Sequence, residues 1–313
     1  MENIVVLDAA TIGENTIFES FSKLGNLRVF AKTKPEERLQ HIGNASIIIT
    51  NKVVIDAQIM DVCPSIKLIC LTATGMNNID LPYAKSKGIT VKNVAGYSTE
   101  SVVQHTFAML LSLMNNIEYY RQYVASKEYS NQNLFTHIGK GFLQLSGRTW
   151  GIIGLGTIGR RVANVASAFG CKVVYYSTSG VNHTTDYEEV SMQELLSKSD
   201  IISIHSPLNE QTKNLIGLDK LQAMKPTAYI INVGRGGIIQ EDALAQALKN
   251  DYIAGACIDV ITKEPLPIES PLLDSEIQDK IIITPHVAWV SDIALADLMK
   301  LTYQNVESFI HQQ

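Results

Sequence analysis

The sequence predicts an α/β protein of two doubly wound parallel-sheet domains. Three observations carry that prediction. Short apolar strands alternate with helical patches over the first hundred residues. A glycine-rich turn stands at Gly154-Leu155-Gly156-Thr157-Ile158-Gly159, and a second strand series begins just before it. Strands that are apolar on both faces imply parallel sheets covered on each side. A chain of 313 residues is comfortable for two domains, and 46% hydrophobic residues supply ample core.

The candidate strands of the first half are 4–7, 27–30, 46–50, 68–72 and 90–93, with helical stretches such as 16–24 and 35–42 between them. Ser98-Thr99-Glu100 then opens a long helical pattern over 101–120, with small polar residues and an acid in the first turn. The polar, aromatic segment 121–147 reads as an arm or surface excursion. The second series has strands at 149–154, 172–176, 201–205, 228–233, 255–260 and 281–284, six in all, the number of a complete dinucleotide-binding sheet. The helical pattern 292–310 comes after that sheet is complete, so it is free to return to the first domain. This gives a domain of 1–98 with 288–313, and a second domain of 99–287 inserted in it.

Each glycine of the turn has a physical task. Gly154 permits the tight bend, Gly156 lets backbone approach a pyrophosphate, and Gly159 lets the following helix pack close to the strand. The N–H groups and positive end of that helix then face two phosphates. Because a strand precedes the turn, an apolar helix follows, and 172–176 supplies the next strand, the motif reads as a Rossmann-type nucleotide site.

Composition narrows the function. The net charge is −5, with no basic run, which argues against a nucleic-acid partner. No apolar stretch approaches the ~18 residues of a membrane span, and the N-terminus is acidic and strand-like rather than a signal peptide. The four cysteines, Cys63, Cys70, Cys171 and Cys257, are scattered and read as buried free thiols. A cytoplasmic location is expected, and no metal.

Three side chains of the second half follow strands, where open α/β sheets place ligand groups. Arg235, among Gly234, Gly236 and Gly237, can present a flat fork to a carboxylate and a neighbouring carbonyl. Glu264 precedes Pro265, and His286 ends the last strand run, where an imidazole suits proton transfer near neutral pH. Alone, each has a plainer reading: a loop-tying arginine, a solvated carboxylate, a structural histidine. Together they are the parts that hydride transfer to a 2-keto acid requires.

Over nearly its full length the chain resembles the D-isomer-specific 2-hydroxyacid dehydrogenases. The resemblance rests on the glycine turn, His205-Ser206-Pro207-Leu208 with Thr212, Asn232-Val233-Gly234-Arg235-Gly236, Gly255-Ala256-Cys257-Ile258-Asp259-Val260 with Glu264-Pro265-Leu266, and Thr284-Pro285-His286. It implies a flavodoxin-like substrate domain, and a catalytic set in which Arg235 holds the substrate, Glu264 pairs with His286, and His286 is the acid–base group. An ionised Glu264 bonded to the ring would favour imidazolium. The resemblance further implies that Thr74, Gly75 and Met76 bind the substrate carboxylate, with the amides of Gly75 and Met76 as donors. The cofactor contacts it implies are Thr106, Gly154, Gly156, Thr157, Ile158, Gly159, Ser177, His205, Ser206, Pro207, Thr212, Val233, Gly234, Arg235, Asp259 and His286. It also implies a homodimer built on the nucleotide domain through the 101–120 helix and the arm. Within the family, 71–81, 94–98 and 286–292 look most like bacterial glycerate dehydrogenases, which reduce hydroxypyruvate. D-lactate, glyoxylate and short-form phosphoglycerate dehydrogenases are the alternatives, and a nucleotide-sensing protein of the co-repressor branch is the rival of another class.

One position departs from the fold's pattern. The acid that grips the adenosine ribose belongs about 20 residues beyond the glycine turn, and Ser177 stands there. Serine can bond a 2′-hydroxyl without repelling a 2′-phosphate, and no arginine follows it. Cofactor choice is therefore expected to be relaxed. NAD is favoured because this stretch lacks the charge that NADP needs, with NADP as the alternative.

Overall fold

The computed structural model describes residues 1–13, 15–181 and 183–312. They form two compact units, Met1–Ser98 with Val290–Gln313, and Thr99–Trp289. The chain re-enters the first unit at Val290, two residues later than the expected 288. Hydrogen bonds hold the intervening residues to the second unit. Ala288 N donates to Asp259 Oδ2 at 3.0 Å, Ser101 Oγ donates to Ala288 O at 2.7 Å, and Trp289 Nε1 donates to His286 O at 3.0 Å.

The first unit is built on five parallel strands, β1 (Glu2–Val6), β2 (Gly25–Val29), β3 (Ile47–Thr50), β4 (Leu68–Leu71) and β5 (Thr90–Lys92). Their order is β2-β1-β3-β4-β5, the flavodoxin-like order. Every side chain of β3 and β4 is buried, as expected of central parallel strands. The stretch expected as helix over 16–24 forms a 3₁₀ run, Asn15–Lys23. The C-terminal helix Asp292–His311 packs on β4, and Lys92 Nζ reaches it at Asn305 O (3.2 Å) and Ser308 Oγ (2.8 Å).

The second unit holds seven parallel strands rather than six: β6 (Thr149–Ile153), β7 (Lys172–Tyr176), β8 (Glu188–Glu189), β9 (Ile201–Ile204), β10 (Tyr229–Asn232), β11 (Gly255–Ile258) and β12 (Ile281–Ile283). Their order is β12-β11-β10-β9-β6-β7-β8. The additional strand, β8, is two exposed glutamates and carries no hydrophobic pattern to read. The order reverses between β6 and β9, and at that switch point open sheets bind nucleotides beyond the strands' carboxyl ends. Trp150 on β6 is fully buried, its Nε1 donating to Ser203 Oγ at 2.8 Å.

The expected helix 101–120 is broken. It runs Thr99–Met114, and a second helix, Ile117–Ala125, begins after Asn116, which sits at φ 52°. Asparagine tolerates this left-handed conformation, and its Nδ2 donates to Gly141 O at 2.7 Å, tying down the returning arm.

All four cysteines are buried and unpaired. Burial pushes the thiol of Cys70 up to about 12 and that of Cys171 to about 11, and it raises Cys63 and Cys257 as well. At pH 8 the thiolate fraction of Cys70 is then about 10⁻⁴, and thiolate is the reactive form. Ellman's reagent at pH 8 should therefore leave Cys70 and Cys257 unmodified in the native protein and titrate four thiols per chain in guanidinium. Rapid native reaction at Cys70 would contradict this packing.

Candidate active site

At the switch point the glycine turn adopts the geometry its sequence suggests. Gly154 sits at φ 92°, and a β-carbon there would approach Ser206 N to 2.9 Å, so the turns after β6 and β9 touch. A β-carbon at Gly159 would collide with the carbonyl of Gly154, whereas one at Gly156 would meet open space. Gly156 is the N-cap of the helix Thr157–Ala168, and no side chain caps it. The first N–H groups of that helix therefore have no partner within the helix and are free for an anion.

Next to this turn, both ring nitrogens of His205 and the hydroxyl of Ser206 are shielded from solvent without a hydrogen-bond partner. Desolvation pushes the His205 ring down to about 3, so it is neutral at ordinary pH. Orphaned polar atoms beside an open glycine turn fit a dinucleotide that brings its own donors and acceptors.

The remaining expected cofactor contacts divide. Val233 and Gly234 form the turn after β10, with Gly234 N donating to Asn232 Oδ1 at 3.1 Å. Thr212 spends its hydroxyl on Pro207 O at 2.6 Å, closing the 207–212 loop. Two expected contacts have side chains with hydrogen bonds inside the protein. Thr106 is fully buried, with its hydroxyl donated to Val102 O at 2.7 Å. The Asp259 carboxylate is buried and committed, accepting from Thr284 Oγ1 (2.6 Å), Val287 N (2.9 Å) and Ala288 N (3.0 Å). It organises the turn that carries His286.

Ser177 Oγ accepts from Gly180 N at 3.1 Å, capping the turn after β7. The stretch following it lacks an arginine, but the fold supplies one: Arg160, in the first turns of the helix Thr157–Ala168, donates to His183 O at 2.8 Å. The stretch itself carries no positive charge, as its sequence shows, and the nearby guanidinium arrives through a contact spanning 23 residues.

Glu264 and His286 come together. Both carboxylate oxygens of Glu264 lie 2.9 Å from His286 Nδ1. A carboxylate only accepts, so Nδ1 carries hydrogen and Nε2 is left to exchange a proton. His286 stands at φ 56°, a strained conformation for a non-glycine residue, fixed by its N–H to Asp259 O at 2.9 Å. Arg235 lies in the turn after β10, where Gly236 packs directly on the Ile261 carbonyl and so sets the arginine's loop beside the 261–264 segment. Its Nη1 donates to Gly234 O at 2.7 Å.

The second unit also holds a cavity of about 1060 Å³ bordered by Glu264, His286, Leu113, Tyr119, Ile282 and Pro285, among others. Neither the glycine turn nor Arg235 lines it. In the first unit, the loop after β4 is braced by Thr74 Oγ1 donating to Val94 O (3.0 Å) and Asn78 Nδ2 donating to Val53 O (2.9 Å). Among the described residues the N–H groups of Gly75 and Met76 meet no acceptor, as a carboxylate-binding loop requires.

Residues 107–288 match the family model for the D-isomer specific 2-hydroxyacid dehydrogenase NAD binding domain. The chain belongs to this dehydrogenase family. The dehydrogenase is 36% identical over 276 residues to a glycerate dehydrogenase of Methylorubrum extorquens, covering 88% of this chain and 86% of that one. It is 32% identical over 313 residues to a hydroxypyruvate reductase of Blautia hydrogenotrophica, covering 98% and 96%. Its fold is also similar to D-lactate dehydrogenase from Aquifex aeolicus complexed with NAD and lactic acid, at TM-score 0.84 and 29% identity, covering 99% of this chain and 96% of that one. The dehydrogenase is an NAD(P)-binding oxidoreductase acting on small 2-hydroxy or 2-keto acids.

Two structural side chains escaped the sequence reading. Asp8, buried two residues beyond β1, accepts from Asn51 N (2.9 Å) and Lys52 N (2.7 Å), and His105 lies 3.0 Å from Thr284 Oγ1. For Asp8 the available signal was a polar residue closing an apolar run, whereas His105, between Gln104 and Thr106, gave none.

Proposed function

We propose that this dehydrogenase reduces hydroxypyruvate to D-glycerate, with Arg235 binding the 2-keto acid and His286 giving the proton. The observation that carries the chemistry is the Glu264–His286 pair at 2.9 Å. Held through Nδ1, the ring presents Nε2 to the carbonyl oxygen of C2. Bound NAD(P)H supplies the hydride, so keto acid, NAD(P)H and one proton give hydroxy acid and NAD(P)⁺. Arg235 can bind the substrate carboxylate with two parallel bonds. The choice of hydroxypyruvate rests on the segments resembling glycerate dehydrogenases and on the two relatives named above. A panel of hydroxypyruvate, glyoxylate, pyruvate and 3-phosphohydroxypyruvate tests it, each with NADH and NADPH. Hydroxypyruvate should give the highest kcat/KM; a tenfold advantage for another acid would overturn the substrate, and no turnover at all would overturn the catalytic reading.

Gly154, Gly156 and the N–H groups of Thr157 and Ile158 would hold the pyrophosphate, and Ser177 the adenosine ribose. Ser177→Asp should lower the NADPH/NADH ratio of kcat/KM by about tenfold or more, because a carboxylate and a 2′-phosphate at close range repel by more than the 1.4 kcal/mol that tenfold represents. An unchanged ratio would show that this strand end does not meet the ribose.

We further propose a homodimer in which the arm of one copy covers the cavity of the other. Val124, Leu134, Phe135, Ile138 and Phe142 are exposed on the arm, and Ile117 just before it, and the cavity of the same unit is bordered by Leu113, Ile282, Pro285 and Leu266. A two-fold axis would pair these surfaces twice. Light scattering at micromolar concentration should give twice the 34.5 kDa chain mass; a monomer mass would defeat the arrangement.

A further inference from the structure

His105 lies in the helix Thr99–Met114, one residue before the buried Thr106, and its Nε2 is 3.0 Å from Thr284 Oγ1. That hydroxyl is 2.6 Å from Asp259 Oδ1, close enough for a charge-assisted bond, and the carboxylate can only accept. The Thr284 hydrogen therefore points to Asp259, and the oxygen's lone pair faces His105. Nε2 must then be the donor. Met109 Sδ, 3.7 Å away, is the weaker acceptor for that hydrogen. The ring N–H engages the lone pair that faces it and holds the Thr284 side chain against the carboxylate, whose Oδ1 the same Nε2 also approaches at 3.7 Å.

The consequence lies further along the same network. Asp259 Oδ1 also accepts from Val287 N at 2.9 Å, Oδ2 accepts from Ala288 N at 3.0 Å, and the backbone carbonyl accepts from His286 N at 2.9 Å. The turn 284–288 is wrapped around one buried carboxylate, which holds His286 in its left-handed conformation at φ 56°. A strained backbone persists only where its surroundings over-determine it, and the Thr284 bond is one of the constraints. We propose that His105 is a positioning residue for His286, acting through Thr284 and Asp259. The proposal rests on the reading of His286 as the acid–base group.

Two variants test it. His105→Leu removes the donor at similar size, and His105→Gln restores an N–H at nearly the same reach. His105→Leu should lower the kcat of keto-acid reduction about tenfold, the effect of losing roughly one buried hydrogen bond, with the Kd for NADH changed less than twofold. His105→Gln should recover most of that loss. A His105→Leu enzyme with parental kcat would overturn the proposal, as would a Gln variant no better than Leu, or a loss of NADH binding that parallels the loss of kcat. Amide exchange gives a readout that needs no turnover. The Val287 and Ala288 amides should exchange about tenfold faster in His105→Leu and at the parental rate in His105→Gln. Unchanged exchange in the Leu variant overturns the coupling. Faster exchange with no effect on turnover, in a protein where His286→Asn is also harmless, places the error in the catalytic reading of His286 instead.

Discussion

His286→Asn should lower kcat/KM for keto-acid reduction by about 10²–10⁴-fold, the usual worth of a positioned general acid, with the Kd for NADH within about twofold of the parent. The choice of asparagine matters. His286 sits at φ 56°, where asparagine is tolerated and alanine would add a backbone penalty of about 1–2 kcal/mol. An alanine variant would mix two effects, lost proton transfer and a displaced turn. Asparagine leaves the turn around Asp259 intact and removes only the group that exchanges a proton. Pre-steady-state mixing with NADH separates the hydride step from product release. If the variant retains more than a tenth of parental activity, His286 is a structural histidine and the pair with Glu264 at 2.9 Å is an ordinary surface contact.

Much of this arrangement was legible from sequence, and the failures share a cause. The strands of both sheets were readable because parallel strands bury both faces, so β3, β4, β9 and β11 are uninterrupted runs of buried side chains. The expected strands ran one or two residues too far at Gly154, His205, Val233, Val260 and Thr284, where the observed strands stop at Ile153, Ile204, Asn232, Ile258 and Ile283. Several of these residues are β-prone, and local pattern keeps them in the sheet. What takes them out is tertiary: Gly154 against Ser206, and Thr284 drawn to Asp259. The chemistry sits on these departures, so a periodicity argument finds the strand and misplaces its functional end. Arg160 beside the Ser177 turn and His105 beneath Thr284 were invisible for the same reason, because sequence neighbours do not disclose a contact 23 or 179 residues away.

Arg235→Lys should raise KM for hydroxypyruvate about 10–100-fold and change kcat less. A guanidinium offers a carboxylate two parallel charge-assisted bonds, and an ammonium offers one point charge on a differently shaped stem. Losing one such bond costs about 1.5–3 kcal/mol, and each 1.4 kcal/mol is tenfold. The plainer role for this arginine, tying its own loop, has a real basis in the 2.7 Å bond from Nη1 to Gly234 O. The two roles separate by substrate. Hydroxyacetone has the carbonyl and hydroxymethyl groups of hydroxypyruvate but a methyl in place of the carboxylate. If Arg235 binds the carboxylate, the parent should strongly prefer hydroxypyruvate, and Arg235→Lys should lose most of that preference while its weak activity on hydroxyacetone barely changes. If Arg235 only ties the loop that packs on Ile261, the substitution should depress both substrates by the same factor, because a displaced loop does not distinguish a carboxylate from a methyl group. The ratio of the two kcat/KM values, parent against variant, decides between them.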